Sequence, residues 1–143
     1  MDVSGSSLFL LDTNTAGYII RGESPSARDR LRQSLATPGR VAISSITEAE
    51  IRYGLELKPG AGRLRAAVEQ LLTRIAVRAW DSAAAHAYGR LRAQLKAAGK
   101  PLAELDLMIA AHALALQATL VSHDRAFRHV AAFVTVVDWA TDL

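Results

Sequence analysis

Short apolar runs alternate along this chain with longer amphipathic stretches. The first run, SLFLL (7–11), reads as a strand and ends in LDTN. Asp12 therefore stands where a strand hands over to a helix, a position at which Asp caps the first turn. SPSARDRLRQSLA (24–36) predicts a helix, with Ser24 as N-cap and Pro25 at its first position. Pro38 and Gly39 break it, and RVAIS (40–44) predicts a second strand. SITEAEIRYGLEL (45–57) predicts a helix in which Ser45 and Glu48 have capping-box spacing. KPGAG (58–62) is a turn, and RLRAAVEQLLTR (63–74) puts Leu64, Val68, Leu71 and Leu72 on one helical face. IAV (75–77) predicts a third strand. DSAAAHAYGRLRAQLKAAG (81–99) predicts a long helix from an Asp81 cap to a Gly99 stop. LDLMIAAHALALQ (105–117) is apolar nearly all round, as a buried helix is. TLVS (119–122) and FVTVV (133–137) are the last strands.

Strands alternating with helices predict an α/β domain built on a mainly parallel sheet, and 143 residues suit a single domain over 1–143. In open α/β sheets, sites form outside the carboxyl ends of the strands. Asp12 after FLL and Asp124 after LVSH both fall at such ends.

Composition narrows the chemistry. The chain has no cysteine, which excludes disulfides, thiol catalysis and cysteine-ligated zinc or iron–sulfur sites. No stretch reaches the roughly 18 apolar residues of a membrane helix, and the N-terminal run is too short for a signal peptide. A soluble, cytoplasmic protein is expected. The net charge is +3, with arginines in ARDRLR, GRLR, GRLRAQLK and DRAFR, so a polyanionic partner is compatible. Neither a glycine-rich phosphate loop nor a nucleophile elbow occurs.

Four carboxylates stand out by context: Asp12, Glu50 in ITEAEIRYG, Asp106 at the mouth of the apolar helix, and Asp124. Each has a local reading, as a cap, a solvated helix residue or a turn residue. Together they suggest more. Carboxylates held close repel one another and take up protons unless a cation joins them. Hard oxygen ligands suit Mg²⁺ or Mn²⁺, ions that acidify water and stabilise a phosphoryl oxygen during in-line displacement.

In order and spacing, FLLDTN, ISSITEAEIRYGL, LDLMIAAHALALQATLVSHDRAF and the closing VVDW resemble the PIN-domain ribonucleases, and within them the VapC-type toxins of bacterial toxin–antitoxin pairs. The resemblance covers the whole chain. It implies a three-layer α/β/α sandwich, with Asp12, Glu50, Asp106 and Asp124 as catalytic acids. Asp12, Asp106 and Asp124 would hold Mg²⁺ or Mn²⁺, and Thr13, Asn14 and Ser122 would orient carboxylates or a metal-bound water. The implied reaction is hydrolysis of an RNA phosphodiester, in tRNA, rRNA or mRNA, which arrests translation. The implied partners are an RNA substrate, a cognate VapB-like antitoxin and a second copy of the chain in a homodimer.

Some positions depart from the family pattern. Ser122 and His123 stand where the family often has Thr-Asn, and Glu104 is an extra acid two residues before Asp106. Glu48 rivals Glu50, but the family's acid lies four residues before Gly, which selects Glu50 before Gly54. Tyr53, Trp80, Tyr88 and Trp139 are read as packing or interface residues, and His86, His112 and His129 as packed or surface residues. Two other classes share parts of the pattern: a non-catalytic PIN-fold interaction module and a structure-specific DNA nuclease. A phospho-receiver domain does not fit, because Asp12 stands alone after its strand and VVDW lacks a lysine.

Overall fold

The structure is a computed structural model that describes residues 8–143. In chain order its elements are β1 (Phe9–Leu11), α1 (Thr13–Arg21), α2 (Pro25–Ser34), β2 (Val41–Ser44), α3 (Ser45–Glu56) and α4 (Gly62–Arg74). Then follow β3 (Ala76–Arg78), α5 (Ser82–Ala98), α6 (Glu104–Leu116), β4 (Thr119–Val121), a 3₁₀ segment (Arg125–Val130) and β5 (Val136–Val137). Ser7, included in the first expected strand, lies outside the described residues.

The strands form one parallel sheet in the order β3-β2-β1-β4-β5. From β1 the chain builds outward through β2 and β3, then crosses back to add β4 and β5. The crevice between β1 and β4 is thus the topological switch point. Register is set by strand alternation. Leu10, Ala42 and Leu120 face one core with Leu91, Ile109 and Phe127 of the α5, α6 and 3₁₀ layer. Leu11, Ile43 and Val121 face the other, with Ala16, Ala27, Leu31, Leu71 and Trp139. A period of two along each strand separates the two cores, which gives the expected α/β/α sandwich.

Several predicted ends hold. Ser24 caps α2 by accepting the Ala27 N–H at 3.0 Å, and Asp81 caps α5 by accepting the Ala84 N–H at 3.0 Å. Gly99 closes α5 at φ +67°, a left-handed conformation that glycine adopts without strain. The capping box at Ser45 does not form. Ser44, the last residue of β2, is the N-cap of α3 and accepts the Ile46 N–H at 3.1 Å. Ser45 instead accepts the Trp80 N–H at 3.0 Å, and Glu48 pairs with Arg52 at 3.2 Å. The strand expected over 133–137 pairs only at Val136–Val137, and the one over 75–77 is shifted by one residue to Ala76–Arg78.

One buried network ties the layers together at this end of the sheet. His112 of α6 lies 2.8 Å from the Ser44 hydroxyl through Nδ1, and it also bonds the Ala79 backbone. The network assigns the imidazole proton to Nε2, so Ser44 donates to Nδ1 while accepting from Ile46. Burial, with Arg78 adding to it, pushes the His112 pKa below its usual value despite Asp81 and Ala79. The stability this neutral histidine contributes is therefore present above the ordinary imidazole pKa and is lost as pH falls. Ser44→Ala leaves both Nδ1 and the Ile46 N–H without their partner. It should cost about 1–3 kcal/mol, read as a lower midpoint in chemical denaturation; an unchanged midpoint refutes the role of this network.

Candidate active site

Each acidic residue reaches the carboxyl edge of the sheet by a different local device. Asp12 follows β1 directly, and its backbone N–H donates to the Val121 carbonyl at 3.0 Å, which locks it against β4. Its side chain caps α1: Oδ1 accepts the Thr15 N–H at 2.8 Å. Asp124 lies beyond β4, where Ser122 Oγ accepts its N–H at 3.0 Å, and its Oδ1 caps the 3₁₀ segment by accepting the Ala126 N–H at 2.9 Å. Asp106 occupies the first turn of α6. Because α6 runs back toward the start of β4, its N-terminus lies at the carboxyl edge. Glu50 lies in α3, which begins at the end of β2.

Hydroxyl groups position Glu50. Thr13 Oγ1 donates to Glu50 Oε1 at 2.6 Å, and the Thr13 and Thr47 hydroxyl oxygens are 3.1 Å apart. Thr47 was not singled out from the sequence, although it lies three residues before Glu50 and so on the same helical face. Asn14, expected beside Thr13, is exposed on the first turn of α1. Glu48 points elsewhere: Arg52 links it at 3.2 Å to Glu69 at 2.6 Å. Glu104 is exposed in the first turn of α6. His123 bonds Asp138 at 2.9 Å and meets the Tyr18 ring edge-on, and so fastens the end of β4 to the end of β5.

The electrostatics bind the quartet into one site. Asp12 is 2% exposed. Burial pushes its pKa up, opposed by hydrogen bonds from Ser122 and Thr15 and reinforced by Asp124. Asp106 is pushed up to about 6, first by burial, then by the charges of Asp124, Asp12 and Glu50. Asp106 therefore feels all three other acids. The side chains share a mouth without touching: among the described residues, no three His, Cys, Asp or Glu side chains are placed closely enough to ligate one ion. Nor does any of the four form an ion pair among the described residues. The donor set is all hard oxygen. That chemistry fits a divalent cation of the Mg²⁺ type.

Beside the acids runs a groove of about 250 Å³ between α1, α3 and α4. Thr13, Asn14 and Glu50 form its acidic end, and Ile20, Ile51 and Val68 contribute apolar surface. The Arg21 guanidinium lies in it over Gly17, where a Cβ would come within 2.9 Å of Nη1.

This fold and site meet known proteins over most of the chain. The family model described as PIN domain matches residues 9–133. The chain belongs to the PIN-domain family and, within it, to the VapC ribonucleases. The tRNA(fMet)-specific endonuclease VapC of Shigella flexneri is 35% identical over 133 residues, covering 92% of this chain and 98% of that protein. A DNA-bound VapBC structure from Salmonella typhimurium aligns with a TM-score of 0.84 at 34% identity, covering 93% of this chain and 98% of its counterpart. VapBC2 of Rickettsia felis, bound to a DNA fragment from its promoter, aligns with a TM-score of 0.85 at 28% identity over 92% of this chain and 98% of that one.

The raised Asp106 carboxyl has a consequence for stability. The folded state holds its proton more tightly than the unfolded state does, so its contribution is fully present below the unfolded pKa. That contribution is lost as pH rises through about 6. In chelator at pH 7.5, Asp106→Asn should be more stable than the native chain by about 1 kcal/mol, a figure reduced for the solvent that reaches this half-buried group. The gap should vanish below pH 4, and Mg²⁺ should narrow it at pH 7.5 by stabilising only the native chain. Thermal melts at both pH values test this; a variant less stable at pH 7.5 refutes it.

Proposed function

We propose that this protein is a metal-dependent endoribonuclease toxin, restrained in the cell by a cognate antitoxin. The observation that carries the reading is the convergence of Asp106 with Asp124, Asp12 and Glu50 at the β1/β4 crevice, where none of the four forms an ion pair among the described residues. Asp12, Asp106 and Asp124 are the residues that would hold Mg²⁺ or Mn²⁺, in part through waters, because their side chains are not placed for all three to ligate one ion directly. When bound, such an ion acidifies water, stabilises charge on the phosphoryl oxygens and supports in-line displacement at phosphorus.

The chain's own residues have distinct tasks. Asp12 is fixed in direction by the Thr15 N–H and by Ser122, so its charge stays aimed at the crevice mouth. Glu50, held by Thr13, stands on the opposite helix to accept a proton or a hydrogen bond from water. Asp106 and Asp124 complete the field, and ionisation of Asp106 sets its acid limb. Asn14, exposed one residue beyond Thr13, is available to orient water or substrate.

The VapBC relatives are solved as toxin–antitoxin complexes, which supports an antitoxin as partner of this chain. The apolar groove between α1, α3 and α4 ends at Glu50, so a peptide seated there brings its side chains to the acids. An arginine delivered by that route would supply the missing counter-charge. The same relatives support RNA as substrate, with tRNA the first class to test. A homodimer in the cytoplasm completes the reading. No helix among the described residues is long and apolar enough to cross a membrane.

Asp12→Asn, Asp106→Asn and Asp124→Asn should each lower RNA cleavage by at least about a hundredfold while the circular dichroism spectrum is retained. Thr13→Val, which frees Glu50 without removing it, should cost about tenfold. Chelation should abolish cleavage, and Mg²⁺ or Mn²⁺ should restore it. In limiting metal, cleavage by the native chain should fall as pH drops through about 6, because protonated Asp106 is a poor ligand. Full cleavage by the Asp12 and Asp106 variants in chelator would overturn the proposal, and metal-dependent cleavage of DNA alone would redirect it to the DNA-nuclease class.

A further inference from the structure

Between Asp81 and Glu104 the sequence carries Arg90, Arg92, Lys96 and Lys100 and no carboxylate. Arg92 and Lys96 lie one turn apart on α5, about 6 Å along its axis, and Lys100 joins them from the loop that follows Gly99. Like charges at this spacing repel, and among the described residues none of the three forms an ion pair. All three side chains are exposed, and they line a cleft of about 410 Å³ whose apolar floor is Leu95, Leu102 and Leu107.

The cleft has a defined shape. After Gly99 turns left-handed, the Lys100 N–H donates to the Leu95 carbonyl at 2.9 Å, which folds the following loop over the end of α5. His129 Nδ1 lies 2.8 Å from the Pro101 carbonyl and holds that loop from the 3₁₀ segment. Arg92 donates to the Tyr88 hydroxyl at 2.9 Å and lies over the Tyr88 ring, so its guanidinium is steadied without being neutralised. The α5 helix dipole favours cations near its last turn, but it does not account for an apolar floor beneath them. Leu107 in that floor is the residue after Asp106, so the cleft adjoins the acidic mouth along the first turn of α6.

We propose that this cleft binds the backbone of the single-stranded RNA that the acids cut. Arg92, Lys96 and Lys100 contact consecutive phosphates, and a base rests on Leu95, Leu102 and Leu107. The proposal rests on the ribonuclease reading and adds to it a path for the strand. Arg92 and Lys96, about 6 Å apart along α5, match the separation of neighbouring phosphates, Lys100 adds a third cation at the same cleft, and the apolar floor suits a base face. A second copy of the chain fits less well, because two such groups of cations would repel across a twofold axis. The acidic mouth repels the same backbone that the cleft attracts, so substrate approach is steered from the α5 side.

The test separates binding from cleavage. In an Asp106→Asn background, Lys96→Gln/Lys100→Gln should weaken binding of a fluorescent single-stranded RNA at least tenfold at 50 mM salt. It should also lower the slope of log K against log salt by about 1.4, at about 0.7 per phosphate contact. Arg28→Gln/Arg32→Gln removes the same charge from α2 and should leave both unchanged. With Asp106 restored, the lysine pair should raise KM with kcat largely kept. Native-like RNA binding and cleavage by the lysine pair, with the fold retained, overturns the cleft and leaves the ribonuclease reading standing. Lysine-dependent RNA binding by a protein that fails to cleave RNA whichever divalent ion is added supports the cleft and refutes the ribonuclease reading. If the pair changes only oligomeric state by light scattering, the cleft is a protein interface and the proposal falls.

Discussion

The arrangement depends on keeping the Asp12 carboxyl buried at the crevice between β1 and β4. Burial raises the energy of its charge, and the chain offsets this locally with the Thr15 N–H and the Ser122 hydroxyl. Those donors exist because a helix begins almost immediately after β1 and because Ser122 directly follows β4, the strand beside it. The capping of α1 and the aiming of the acid are the same interaction. Its strain shows most at Asp106, whose proton is held by burial and by three neighbouring carboxylates. Repulsion is built into this site, and among the described residues none of the four acids forms an ion pair that would relieve it.

The rest of the fold serves that edge. Alternation along short strands gives two cores, and the helices packed on them carry the acids to this edge. The Ser44–His112 contact pins α6 to the junction of β2 and α3, and so fixes Asp106 relative to Glu50 through a polar link in an otherwise apolar layer. Asp142 accepts from the Ser24 hydroxyl at 2.6 Å and the Ser26 N–H at 3.0 Å, which holds the segment after β5 against the start of α2. Trp139 is buried beneath this clasp, edge-on to Phe9 with ring centroids 5.2 Å apart.

Much of this was legible in the sequence because it is local. Caps at Ser24 and Asp81, the stop at Gly99 and the buried character of α6 follow from residue chemistry within a few positions. The cap of α3 was misplaced by one residue because two serines are adjacent and only the end of β2 decides between them. FVTVV has strand composition throughout, but only Val136 and Val137 pair in register with β4, with the Thr135 carbonyl accepting the Leu120 N–H at its start. Choosing Glu50 over Glu48 needed a family pattern, since both are ordinary helix positions. The structure gives the physical difference: Glu50 meets Thr13, and Glu48 meets Arg52.

By itself the sequence determined the alternation of elements, the absence of thiol chemistry and the placing of acids at strand and helix ends, because these depend on residue type and short spacing. Tertiary structure alone decided that β1 lies between β2 and β4, that His112 reaches Ser44 and that Thr13 reaches Glu50. It also decided that Asp106 lies in the field of three other carboxylates, which raises its pKa. Such relations join residues tens of positions apart. They follow from how the two cores close around the sheet, and no local pattern in the chain encodes them.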